Sequence, residues 1–147
     1  MIFSKTTANE AFKAGDYDTA LEGYTESIST EKSMNFPMDT NLYANRAATY
    51  LALKRHVPAY HDSIQAGTAD PSNWKAYWRQ ALALKGMAKK KFRTKQAIDA
   101  LEKCLKCEKL PDDKRPQVQD MLSQTKAFLQ MQDDATPMPD LSNCMSS

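Results

Sequence analysis

Glycine is scarce, with four in 147 residues, and clusters of β-branched residues are few. What fills the chain instead is Ala, Leu, Lys, Glu and Gln, residues that lose little freedom in a helix, so an all-α fold is expected. The chain also lacks any segment near the roughly 20 apolar residues that a membrane helix needs, and its opening "MIFSKTTANE" holds no apolar run of signal-peptide length. Cysteines number three, Cys104, Cys107 and Cys144. An odd count without a secreted context argues against a disulfide framework and for reduced thiols in a cytoplasmic protein, with the nucleus as a further compartment.

Chemistry-bearing patterns are missing as well. No Ser-His-Asp or Cys-His set, no catalytic pair of carboxylates and no Gly-rich phosphate loop stands out, so an enzyme is not expected. Cys104 and Cys107 are spaced i, i+3 on a predicted helix. A structural zinc site wants four ligands, however, and neither His56 nor His61 lies at a supporting spacing, so no metal or other cofactor is expected.

Charge is present but unevenly spread. The net charge is +2, yet from Trp74 to Leu110 there are eleven Lys and Arg against three Asp and Glu. That segment should attract anions.

A repeat organises the rest. "NEAFKAGDYDTALEGYTESI", from Asn9 to Ile28, reads as helix, tight turn, helix, with Ala20, Leu21, Tyr24 and Ile28 at helical spacing. "NLYANRAATYLALKRHVPAYHDSIQAGTADPSN" repeats the design, and "WKAYWRQALAL" begins a third unit. Landmark alanines fall at Ala8, Ala47 and Ala81 in the first helices, and at Ala20, Ala59 and Ala97 in the second. Their spacing fits a period of about 34 residues, with roughly five inserted between units one and two and about four inside unit three.

With its "AGDYDTAL" turn and the "ADPSN" that closes unit two, the chain resembles the tetratricopeptide repeat family, whose unit is a helical hairpin with small residues where its two helices cross. The resemblance implies three hairpins in a right-handed superhelix over residues 1–110, at about 1–34, 40–73 and 74–110. Departures are Lys54 at the usual turn glycine, Ser63 in place of an aromatic, and "GMAKKKFRTK" in place of a short turn. That last stretch is either a longer first helix or a basic loop; periodicity alone leaves both open. A capping helix is expected over 111–131, with Val118, Met121, Leu122, Thr125, Phe128 and Leu129 as its apolar stripe, followed by a disordered tail at 132–147.

In such a stack the first helices line a concave groove. Lys5 and Asn9 share one helical face, as do Lys75 and Arg79, and Asn45 holds the matching zone of the middle unit. Three cations and two amides, with no acid among them, suit a carboxylate. The five positions resemble the two-carboxylate clamp of co-chaperone repeat domains, carried here by "KTTAN", "LYANRA" and "KAYWR". The resemblance implies a peptide-binding module for the C-terminal Glu-Glu-Val-Asp tail of cytosolic heat-shock chaperones of the 70- or 90-kDa class. Lys5, Asn9 and Asn45 would hold the main-chain carboxylate, while Lys75 and Arg79 would hold the aspartate side chain.

Phe12 and Ala48, one turn beyond the asparagines, would seat the valine, although Phe12 fits a core position equally well. Tyr77 and Trp78 read as packing residues. The cluster Lys89, Lys90, Lys91, Arg93 and Lys95 reads either as a wet face or as a steering patch for an acidic tail. The alternative function is a general scaffold that uses this basic third unit to hold an acidic protein surface or nucleic acid. A single aromatic, Phe92, offers no base-stacking platform, which argues against nucleic acid.

Overall fold

The computed structural model describes residues 5–135. Seven helices and no strands occur among them: α1 (Lys5–Lys13), α2 (Tyr17–Ser33), α3 (Thr40–Ala52), α4 (His56–Ala69), α5 (Trp74–Gly86), α6 (Lys91–Lys106) and α7 (Arg115–Asp134). The first six pair as three hairpins, and α7 closes the open side of the last by packing on α6. None of the helices is long and apolar enough to cross a membrane.

Local chemistry stops each early helix at a defined residue. Gly15, Asn35 and Lys54 all take positive φ, at 80°, 56° and 58°. In each case the next N–H returns to a carbonyl five residues back: Asp16 to Ala11, Phe36 to Glu31 and Arg55 to Tyr50, at 2.9, 2.9 and 2.8 Å. This left-handed ending satisfies carbonyls that the helix leaves orphaned, and glycine adopts it without a Cβ penalty. Lys54 adopts the glycine conformation without being glycine. Asp16 then caps α2 by accepting from the Thr19 N–H, and Asp39 caps α3 by accepting from the Asn41 N–H.

The six landmark alanines are all fully buried, each with zero exposure. They sit where paired helices approach, so larger side chains there would overpack the crossing and destabilise it by roughly 1–3 kcal/mol. One core cluster joins Ala8, Ala20, Tyr24, Ile28 and Leu42 with Ala66 and Ala76 across hairpins one to three. A second joins Ala81, Leu101, Cys104, Cys107 and Leu110 to Val118 of α7. Ser63, the departure from an aromatic, is buried and donates its hydroxyl to the Tyr60 carbonyl at 2.8 Å.

Three expectations need correcting. "GMAKKKFRTK" is neither one longer helix nor one loop: α5 ends at Gly86, a turn covers 87–90, and α6 starts at Lys91. Residues 111–114 form turns, so α7 starts at Arg115 and continues to Asp134, past the expected end at 131. Phe128 is 40% exposed, because the inward face of α7 runs through buried Val118 and Thr125 with partly buried Leu122 and Leu129, and Phe128 lies to one side of it. The remainder of the segment expected to be disordered, 136–147, lies outside the described residues.

Candidate functional site

Stacking of the hairpins puts α3 in contact with both α1 and α5. A cavity of about 190 Å³ opens there, lined by Asn9, Phe12 and Lys13 of α1, Tyr24 of α2, Asn45 and Ala48 of α3, and Arg79 of α5. Five residues anticipated from sequence, Asn9, Phe12, Asn45, Ala48 and Arg79, therefore meet at one place. Phe12 also packs against the first core cluster and sets its ring edge-on to Tyr17, so it belongs to both core and cavity wall.

The amides are organised from beneath. The Tyr24 hydroxyl donates to Asn9 Oδ1. Asn45 Nδ2 donates to the same oxygen at 3.3 Å. Burial raises the Tyr24 phenol above its ordinary value, against a smaller opposing effect of nearby Arg79, so it stays a neutral donor at neutral pH.

Arg79 supplies the charge. Burial pulls its guanidinium down to about 10, and Nη1 donates to the Ala44 carbonyl at 3.0 Å. At neutral pH the group remains cationic, and no carboxylate among the described residues is paired with it. A guanidinium removed from water without a counter-charge is costly, and an anionic ligand would relieve that cost.

Lys5 and Lys75 are placed differently. Lys5 Nζ lies 2.9 Å from Asp39 Oδ2, with both side chains partly exposed. An acid therefore stands among the predicted cations, contrary to expectation; it arrives with the stretch inserted between units one and two. Lys75 is exposed and borders a separate hollow of about 220 Å³ with Asn41, Asp70, Asn73 and Lys109. Neither lysine lines the cavity around Asn9 and Arg79.

Lys13, Tyr24 and Asp39 are the site residues that sequence reasoning missed. Lys13 follows Asn9 by four residues, a spacing that signals a shared face. Tyr24 carried only a packing signal, and Asp39 carried none.

The basic cluster is divided by the chain's course. Lys89 and Lys90 lie in the turn, whereas Lys91 pairs with Asp133 at 2.9 Å and ties α6 to α7. Arg93 lies over the Phe92 ring, 5.2 Å from its centroid. Cys104 and Cys107 are buried thiols, and no group of three or more metal-ligating side chains occurs among the described residues.

No family model matches the chain. Solved structures do. The Sgt2 TPR domain from Aspergillus fumigatus superposes with a TM-score of 0.75 at 29% identity, over 92% of this chain and 82% of that one. The second TPR domain of human RPAP3, in complex with the HSP70 peptide SGPTIEEVD, gives 0.69 at 30% identity over 85% and 93%. The first TPR of Spaghetti (RPAP3), bound to the HSP90 peptide SRMEEVD, gives 0.71 at 26% identity over 85% and 89%. Among curated proteins, heat shock protein STI1 of Saccharomyces cerevisiae is 33% identical over 107 residues, 69% of this chain but 18% of that protein. The chain belongs to the tetratricopeptide repeat family. It spans between 3% and 28% of the length of the curated relatives it matches.

Proposed function

We propose that this chain is a non-catalytic peptide-binding module, a co-chaperone or adaptor that grips the C-terminal Glu-Glu-Val-Asp tail of cytosolic 70- or 90-kDa heat-shock chaperones. The observation that carries this reading is the partly buried Arg79 guanidinium, paired with no carboxylate among the described residues, facing a cavity whose polar walls include the Asn9 and Asn45 amides. A chain-terminal aspartate brings two carboxylates on adjacent carbons. One would meet the asparagines, with Lys5 at the rim, while the other would meet Arg79, with Lys75 closing from outside. Phe12 and Ala48 provide an apolar seat for the neighbouring valine.

Charge-assisted hydrogen bonds contribute about 1.5–3 kcal/mol each. Ordering a flexible tail opposes much of that sum, so affinity should be micromolar, about −8 kcal/mol. The tails it would recruit belong to cytosolic chaperones, so the reading places the adaptor in the cytoplasm. The test is calorimetry with a free-acid Glu-Glu-Val-Asp peptide beside its C-terminally amidated form. Micromolar binding of the first and none of the second is expected; equal affinity would reject the reading.

A further inference from the structure

Asn9 is useful to a carboxylate only through its Nδ2, because a carboxylate offers acceptors and no donor. A free asparagine amide on a groove wall has no reason to present that end; rotated by half a turn, it would place its carbonyl oxygen against the ligand's charge. In this fold the ambiguity is removed by neighbours, one from beneath the groove helices and one from the adjacent groove helix. The Asn9 Oδ1 receives two donors, the Tyr24 hydroxyl from α2 and Asn45 Nδ2 from α3. An amide oxygen has two lone pairs, so both are taken. What remains of Asn9 is its pair of N–H groups, and Asn45 keeps its second N–H.

From this arrangement we infer that Tyr24 is a positioning residue of the peptide site, whose hydroxyl locks the Asn9 amide with its nitrogen toward the ligand carboxylate. Tyr24 is 2% exposed and its ring belongs to the first core cluster, yet its hydroxyl reaches the cavity. The ring thus packs the core while the oxygen serves the site. The inference rests on the tail-binding reading and adds to it a positioning residue on the second helix of a hairpin, α2, rather than on a first helix.

A double-mutant cycle on the whole chain tests it, read by calorimetry with the free-acid Glu-Glu-Val-Asp peptide below the melting temperature of every variant. Tyr24→Phe keeps the ring and removes the hydroxyl. It should weaken binding roughly five- to tenfold, the value of one hydrogen bond that now has to be organised on binding. In an Asn9→Ala background the same change should have no further effect, since the amide it orients is gone. A merely structural role would weaken both backgrounds alike, and that result overturns the inference, as does unchanged affinity in Tyr24→Phe. Failure of the wild-type chain to bind the peptide at all would instead sink the tail-binding reading, and this inference with it. Should Tyr24→Phe not fold, the Asn9 side-chain amide resonances of the wild-type chain decide the matter. A shift of both N–H signals on peptide addition supports the assignment, and an unmoved pair overturns it.

Discussion

Lys5 Nζ sits 2.9 Å from Asp39 Oδ2, so the first cation of the groove already faces a carboxylate from the N-terminus of α3. Asp39 is held there by its own bonds: Oδ1 accepts from the Asn41 N–H at 2.9 Å, and its N–H donates to Glu31 Oε2 at 3.2 Å. Under the proposed clamp, an incoming terminal carboxylate would have to share Lys5 with this resident acid or displace it. Asp39→Asn preserves the helix cap while removing the charge. Because a half-exposed pair of this kind is worth no more than about 1 kcal/mol, tail affinity should rise roughly two- to fivefold, and more at low salt than at high. Titrations at two ionic strengths check it; unchanged or lower affinity would mean that Asp39 does not compete.

Arg79 should separate binding from stability. Its guanidinium is partly buried with no carboxylate partner among the described residues, and desolvation draws it down to about 10. Replacement by Met keeps much of the stem's packing and removes the desolvated charge. Peptide affinity is expected to fall at least about 30-fold, the loss of one buried charge-assisted contact, while the melting temperature holds or rises. A variant that loses stability and affinity together would contradict this account of the site.

Lys54 ends α3 in a left-handed conformation, φ 58°, that glycine adopts without strain. Lys54→Gly should therefore stabilise the chain by about 1 kcal/mol, after allowance for the extra freedom glycine has when unfolded. A rise of a few degrees in melting temperature is the expected reading. Peptide affinity should not move, because Lys54 lies in the turn between α3 and α4 and does not line the cavity.

Cys104 makes a pH prediction. Burial, with a smaller push from neighbouring Cys107, drives its thiol up to about 12 from an ordinary 9. The folded chain therefore holds this proton more tightly than the unfolded one. Its contribution to stability is complete below pH 9 and is lost as pH climbs from 9 to 12. Urea midpoints should fall across that interval, and less so in Cys104→Ala. At pH 8 the native chain should leave Cys104 unlabelled by a thiol reagent that modifies it in denaturant.

Much of the architecture was legible along the chain because its signals are local. The alanine landmarks recur at the repeat period, which places Ala8, Ala20, Ala47, Ala59, Ala81 and Ala97 at helix crossings, and all six are buried. Asn9, Asn45 and Arg79 could be assigned to one groove because a regular repeat carries each first helix to the same face. Where the period broke, so did the reading. "GMAKKKFRTK" divides at Gly86 and Lys91, and the inserted stretch before α3 delivers an acid next to Lys5.

The amino-acid order by itself determined three helical hairpins, their small-residue crossings and a cluster of amides and cations near one face, since each of these follows from spacing within a few turns of helix. Only the folded stack decided which partner each of those groups finds. Lys5 meets Asp39 across 34 residues, Asn45 meets Asn9 across 36, and Tyr24 meets Asn9 across 15. Hydrogen bonds form over about 3 Å, whereas periodicity locates a side chain only to a helix face. The choice among neighbours on that face is made by how closely the hairpins pack.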